Sequence, residues 1–324
     1  MPETNDLKWR FVLFAMLCST HVFAQNYPTK PIRMIITYPQ GGNADLVGRA
    51  VAGKLSELMG RQVVVVNRGG AGGVMGAMIT AQALLDGYTI MFGTSAGMML
   101  NPLLSSTLPY DALKDFPPVN KVMVLPQLLV INPQLPAKNV KELIALAKAK
   151  PGTLNAGSSG VGTPHHLGTE LLKSLVGVNI VHVPYKGGAQ AITDLIGGQI
   201  HMAFSSVPAV LPHVKAGRLN ALGVGSAKRS AALPNVPTIN ESGVPGFEYT
   251  AWNGIFAPAR TPAIIIARLN SELVKGLAAP EIHQRFIANG GEPASSTPDE
   301  LRRYMIEESA CWAKTIKMAG IRIE

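Results

Sequence analysis

Hydrophobic and polar positions along the chain fall into alternating strand-like and helix-like blocks. "PIRMIITYP" is an apolar, β-rich run that breaks at "QGGNAD"; beyond it Leu46, Val47, Ala50, Val51, Leu55 and Leu58 recur at helical spacing until Gly60 stops them. "QVVVVN" predicts a second strand, "GGVMGAMITAQALL" a helix started by glycines, Asp86-Gly87 a turn and "YTIMF" a third strand. Strands that are apolar on both faces and alternate with helices predict an α/β protein with a parallel sheet covered on both sides.

The pattern restarts at "LLVIN". Asn139 followed by Glu142 resembles a capping box and opens a helix that runs to Lys150, where Pro151-Gly152 ends it. Then follow the strand "TLNAG", a helix from Thr163-Pro164, the strand "NIVHVP", the helix "AQAITDLIG", the strand "IHMAF" and the helix "PAVLPHVKAG". After "LNALGVG" the composition turns proline-rich from Leu233 to Pro258, with helices predicted near Arg268–Leu277 and Asp299–Met318. The reading is two α/β lobes with a cleft between them, where strand C-termini and helix N-termini point inward. The first lobe is expected from residues 25–127 and 225–324 and the second from 128–224, the chain crossing back through the proline-rich stretch.

The 324 residues, 47% of them hydrophobic, suffice for two cores. At the start, Lys8 and Arg10 precede the apolar run Phe11–Cys18, and Val22-Phe23-Ala24 carries compact residues where a signal peptidase reads. A leader of residues 1–24, cleaved after Ala24, is therefore expected, and the apolar run is far shorter than the roughly 20 residues of a membrane span. Cleavage removes Lys8 and Arg10 with Glu3 and Asp6, so the mature chain keeps the formal charge of +9. That field favours anionic partners. With no Lys/Arg cluster interleaved with aromatics, which are only 6% of residues, nucleic acid is not expected as a partner. Cys311 alone remains after processing, which excludes an intramolecular disulfide. A monomer without cofactor is expected.

Four loops share one chemistry: each follows a strand, opens a helix or turn, and combines Gly with Ser, Thr, Asn or Lys. They are "PQGGNAD" with Gly41, Gly42 and Asp45, "GTSAG" with Thr94 and Ser95, "GSSGVGTP" with Ser158, Gly162 and Thr163, and "VPYKGG" with Lys186. Glycines let backbone approach a ligand, and N–H groups at helix starts favour anions. Each loop alone fits a plain tight turn; four in matching positions point to a small carboxylate or phosphate in a cleft. Lys186 is the one cation placed there.

Other motifs are weaker. "GTSAG" is also G-x-S-x-G, the elbow that exposes a nucleophilic serine in α/β-hydrolases. Pro102 follows five residues beyond Gly97 and should push Asn101 out of helical space. No histidine lies between His21 and His165, and Asp194 and His213 sit on separate helices. A secreted serine esterase is thus the alternative, and a binding role for Ser95 the preferred reading. Gly70, Gly72 and Gly76 follow the second strand with no acidic residue to hold a ribose, so close helix packing explains them better than a nucleotide. His165-His166 point apart on a helix and have no Cys, Asp or Glu to complete a metal set, although either could donate to an anion from the first turn.

"YPTKPIRMIITYPQGGNAD", "DGYTIMFGTSAG", "GSSGVGTPHHL", "VHVPYKGGAQAITDLIGGQ", "LPNVPTINESGVPGFE" and "AWNGIFAPARTP" together make the chain resemble the Bug-type periplasmic solute receptors of tripartite tricarboxylate transporters. The resemblance spans nearly all of the mature chain. It implies a two-lobed type II periplasmic binding fold that closes on a small organic acid and delivers it to integral membrane transporter subunits. It also implies ligand contacts around Ser95, from Ser158 to Thr163, at Phe204–Ser206 and at Ala251–Trp252, with His166 near the same loop. Many members carry an acidic residue where Ser205 stands and Gly where Arg260 stands. Asp45, the only acidic residue of the proposed cleft, should be occupied with backbone N–H groups, so the ligand is expected to be an acid without an amine.

Overall fold

The computed structural model describes residues 27–288, 290–319 and 321, so the expected leader and its cleavage site lie outside the described residues. A single curled sheet runs through the molecule in the order β2-β1-β3-β9-β4-β7-β5-β6, with β8 and β10 pairing to β4. In the first half, β1 (Ile32–Ile36), β2 (Val63–Asn67) and β3 (Thr89–Thr94) are parallel. They are linked by α1 (Asn43–Met59) and by α2 (Val74–Ala81). Gly60, at φ 64°, ends α1 as the sequence predicts. Gly76 lets α2 lie against β1, since a Cβ there would stand 2.8 Å from the Arg68 carbonyl oxygen and 2.9 Å from Thr37 Cγ2.

The all-parallel expectation is corrected at the centre. Strand β4 (Pro118–Ile131) begins ten residues before "LLVIN", hidden by Asn120, Lys121, Pro126 and Gln127 within the apolar run. Its first part runs antiparallel to β9 (Thr250–Phe256), which also pairs antiparallel with β3. From Gln127 onward it pairs antiparallel with β7 (Met202–Ser206) and, from Leu128, with β8 (Asn220–Val224) on its other side. Pro126, which cannot donate to a ladder, stands where β4 changes partners. The second half is completed by β5 (Asn155–Ser158), parallel to β7 and to β6 (Val181–Pro184).

Helices cover both halves. In chain order they are α3 (Asn101–Leu104), α4 (Ala112–Asp115), α5 (Val140–Ala149), α6 (Pro164–Val176), α7 (Gly188–Ile196), α8 (Val207–Lys215), α9 (Ala263–Leu277), α10 (Pro280–Ala288) and α11 (Pro298–Ala319). The predicted capping box is present, with the Glu142 N–H donating to Asn139 Oδ1 at 2.9 Å. The expectation at Pro102 is not met. Residues Ala96–Leu100 form a π turn that continues into α3, and Asn101 is helical at φ −57° and ψ −45°. The widened turn closes through the Asn101 N–H to the Ala96 carbonyl, and Pro102 falls in the first turn of α3, where a missing N–H costs nothing.

Apolar side chains of β1, β3, α1 and α9, among them Met34, Ile36, Val51, Phe92 and Leu269, form one buried cluster. Another holds Leu128, Val130, Leu195, Ala203 and Val210 beneath α7 and α8. Arg260 is the one non-glycine residue at positive φ, 60°, among the described residues, in a turn closed by the Thr261 N–H to the Pro258 carbonyl. A Cβ crowds the neighbouring carbonyl in this conformation. Arg260→Gly is therefore expected to raise stability by about 1 kcal/mol in denaturant titration despite the freer unfolded chain, and an unchanged midpoint would show the turn to be unstrained.

Candidate functional site

Four strand-to-helix turns face one another where the two halves of the sheet meet. Helix α1 starts from Gly42 and α6 from Thr163, while α8 starts from Ser206 and the π turn from Ser95. None of the four is capped by a side chain, which leaves the positive ends of these turns to whatever enters between them. A cavity of about 580 Å³ lies there. Its polar lining includes Tyr38, Gln40, Thr94, Ser95, Gln127, His165, Ser206 and Asn253, beside Gly42 and Trp252.

Of the residues singled out from sequence, Gly42, Thr94, Ser95, His165, Ser206, Ala251 and Trp252 line this cavity together. Ser95 Oγ accepts the Trp252 N–H at 3.3 Å, which ties the π turn to β9. The others stand behind it. Asp45 is buried and accepts the Gly41 N–H at 2.9 Å, Arg49 Nε at 2.8 Å and Asn67 Nδ2 at 2.9 Å, so it fixes the loop that carries Gly42. Ser158 Oγ donates to the Gly160 carbonyl at 2.9 Å and lies 2.6 Å from His182 Nε2. Thr163 Oγ1 donates to the same carbonyl at 2.7 Å. The Gly162 N–H donates to Nδ1 of His166, whose ring stacks on His182 at 3.6 Å and whose Nε2 faces Glu170. Ser158, Gly162, Thr163 and His166 thus brace their own loop. Lys186 is exposed and outside the lining, and Ser205 lines a neighbouring cavity.

Sequence reasoning passes over Tyr38, Gln127 and Asn253. The available signal was a lone amide in an apolar strand: Gln127 in "VLPQLLVI" and Asn253 in "AWNGIF". Gln127 Oε1 and Asn253 Oδ1 are buried without a hydrogen-bond partner, while Gln127 Nε2 is held by the Leu125 carbonyl at 3.1 Å. Unpaired buried acceptors are costly, and these two amides carry that cost beside the cavity. No Asp, Glu, Lys or Arg lines the cavity. His165, paired through Nδ1 with Ser159 Oγ at 2.8 Å, is pushed down to about 4 by burial and is neutral at pH 7. An anion here is met by dipoles and hydroxyls, which suits a carboxylate held by neutral donors.

The hydrolase chemistry fares poorly in this geometry. Ser95 Oγ is engaged by a backbone donor. Ser158 spends its proton on the Gly160 carbonyl, so His182 Nε2 faces it as a donor and not as a base. Among the described residues no group of three His, Cys, Asp or Glu side chains is arranged to hold a metal.

Behind the cavity, Trp252 Nε1 donates to Glu308 Oε2 at 2.7 Å, and Trp312 Nε1 approaches Oε1 at 3.3 Å. Burial pushes the Glu308 carboxyl up to about 7 against these donors. Its folded form holds a proton that the unfolded chain releases near 4.5, so this group takes stability away as pH rises from about 4.5 through 7. His165 and His182, both pushed down to about 4 chiefly by burial, act oppositely and take stability away as pH falls from 6.5 toward 4. Together the two histidines outweigh Glu308 below about pH 6.5, and the opposing contributions nearly cancel between about 6.5 and 7.5, so the melting temperature is expected to rise with pH to roughly 7 and then level. Glu308→Gln removes the opposing contribution and should steepen the rise between about pH 5 and 7; an unchanged slope in the variant would place the titrating group elsewhere.

Against this geometry, the sequence matches the family model described as the tripartite tricarboxylate transporter family receptor over residues 47–321. BugT of Bordetella pertussis is 38% identical over 304 residues, covering 94% of this chain and 93% of that protein. The structure of Rpa4515 from R. palustris with adipate is similar at TM-score 0.76 and 36% identity, covering 91% of this chain and 99% of the other. MatC from Rhodopseudomonas palustris with bound malate is similar at TM-score 0.71 and 28% identity, covering 90% and 100%.

Proposed function

Because the chain belongs to the tripartite tricarboxylate transporter receptor family, we propose that it captures a small organic carboxylate and presents it to the membrane subunits of such a transporter or to a sensing partner. The fold is the two-lobed α/β binding-protein fold. The observation that carries the reading is a cavity of about 580 Å³ between uncapped helix starts with no charged side chain in its lining. Adipate and malate, bound by Rpa4515 and MatC, are acids of the size class this cavity admits. The lining favours an acid without an amine over an amino acid, since a buried ammonium would find no carboxylate there to pair with.

In this reading Gly42, Thr94, Ser95 and Trp252 touch the ligand. Gly41, Asp45, Ser158, Gly162, Thr163 and His166 hold the contact loops, and Lys186 contributes only long-range attraction. The lobes are residues 25–127 with 225–324 and residues 128–224, closing about the Pro126–Gln127 junction. The protein works in the periplasm as a monomer after loss of residues 1–24, without cofactor, catalysis or nucleic acid. No helix among the described residues is long and apolar enough to cross a membrane.

Competition calorimetry between malate, succinate and aspartate tests the ligand class: either non-amino acid should displace aspartate. Ser95→Ala should weaken binding by roughly 1.5–3 kcal/mol, the worth of a hydrogen bond to a charged group, without removing any reaction. Tighter binding of aspartate would overturn the ligand class. Ester turnover by the wild type that is lost in Ser95→Ala would restore the esterase.

A further inference from the structure

A second cavity, of about 350 Å³, adjoins the cleft between α7 and α8. His165 and Ser206 line both spaces, so the second opens from the first as a side chamber. Its walls are mainly apolar, from Ile192 and Ile196 of α7 and Ala209 of α8. Nothing that the carboxylate reading requires makes use of this chamber.

One polar group at its surface lacks a partner. Ser205 is 3% exposed, lines the chamber, and its hydroxyl makes no hydrogen bond among the described residues. Buried hydroxyls are ordinarily hydrogen-bonded, and leaving one unpaired is costly. A ligand tail with an apolar body and one hydrogen-bonding tip would satisfy it while covering the isoleucine walls. The tip must be uncharged, because no Lys or Arg lines the chamber to neutralise a second carboxylate and no Asp or Glu to receive an ammonium.

We propose that this chamber is a tail subsite for an elongated acid: the carboxylate stays in the cleft, and an apolar segment ending in a hydroxyl or carbonyl oxygen passes His165 and Ser206 to reach the Ser205 hydroxyl. The proposal rests on the cleft being a carboxylate site. It makes α7 and α8 the elements that select the far end of the ligand.

Calorimetry with succinate, hexanoate and 6-hydroxyhexanoate tests it on the wild type, Ala209→Trp and Ser205→Ala. Ala209 is exposed on α8, so the indole fills the chamber and not the core, and thermal unfolding of each variant verifies folding. The wild type should bind 6-hydroxyhexanoate at least tenfold tighter than hexanoate. Ala209→Trp should weaken 6-hydroxyhexanoate at least tenfold with succinate unchanged, and Ser205→Ala should bring the two six-carbon acids together. If succinate binds but the six-carbon acids are indistinguishable, or if Ala209→Trp leaves them unaffected, the tail subsite is wrong and the carboxylate cleft stands. If none of the three acids binds, the carboxylate reading itself fails and the subsite falls with it.

Discussion

Gly225→Ala is expected to be among the most damaging single-methyl changes in this protein, lowering stability by about 3–4 kcal/mol. The Gly225 N–H donates to the Gln127 carbonyl at 2.7 Å, and its own carbonyl accepts the Tyr249 N–H at 2.7 Å. An added Cβ would stand 2.5 Å from the Tyr249 carbonyl oxygen and 3.3 Å from that of Gln127. Both obstacles are backbone and cannot rotate away, so the methyl must separate strands at the place where β4 changes partners. The cost combines overpacking with the loosening of buried backbone hydrogen bonds, each about 1–3 kcal/mol. If the lobes close about that junction as proposed, ligand affinity should fall together with stability. Gly53, in the interior of α1 with nothing within 4 Å of an added Cβ, is the contrast. There the same substitution should gain up to about 1 kcal/mol from helix propensity. Equal melting temperatures for the two variants would contradict the close approach at Gly225.

Asp45→Ala should cost about 3 kcal/mol and also weaken ligand binding at least tenfold, although Asp45 does not line the cleft. Its carboxylate gathers the Gly41 N–H, the Arg49 guanidinium and the Asn67 amide. Removing it leaves the Gly41 N–H to water and Asn67 Nδ2 with only the Tyr38 carbonyl, at 3.0 Å, and opens a gap where the buried carboxylate stood. The carboxyl titrates below its ordinary value: burial would raise it, but the Gly41 N–H, Arg49 and Asn67 together outweigh burial. Its contribution is therefore complete at neutral pH and disappears only as pH falls below about 3.8. Asp45→Asn keeps an acceptor and loses the charge, so it should fall between wild type and alanine. Denaturant titration with calorimetry on the three proteins decides it. An affinity unchanged in Asp45→Ala would mean that the Gln40–Gly42 loop holds its shape unaided.

Much of the fold could be read from local signals because the signals and the tertiary environment agree. The apolar runs of β1 and β3 are buried between helices, while that of β2, at the sheet edge, leaves Val64 exposed; the start of α6 at Thr163-Pro164 lies where the residue types put it. The central strands were less legible. Thr250–Phe256 is almost wholly buried, yet it lies in a proline-rich stretch and owes its strand state to β3 and β4 on either side. Lys121, whose polar type argues against a central strand, lies with its ammonium 3.5 Å from the centre of the Tyr304 ring. The site divides in the same way. Gly-rich loops locate the helix starts that ring the cavity, because backbone geometry is encoded nearby. Which hydroxyl turns inward is not: Ser158 turns to His182, 24 positions away, and Ser95 to the Trp252 backbone.

The return of the chain through β9 has a consequence for how the molecule is made. The bond between the Trp252 N–H and Ser95 joins residues 157 positions apart, and both neighbours of β9 come from the N-terminal part of the chain. Strands β5, β6, β7 and β8 find their partners within one continuous stretch that begins at β4, so this half is free to assemble early. The other half must hold β3 and the front of β4 with open edges until synthesis reaches Thr250. Unpaired apolar edges are the places where chains join one another. A nascent or truncated chain ending before Thr250 is thus an aggregation hazard, and its proper guardian is a chaperone that covers strand edges until the last quarter of the chain arrives.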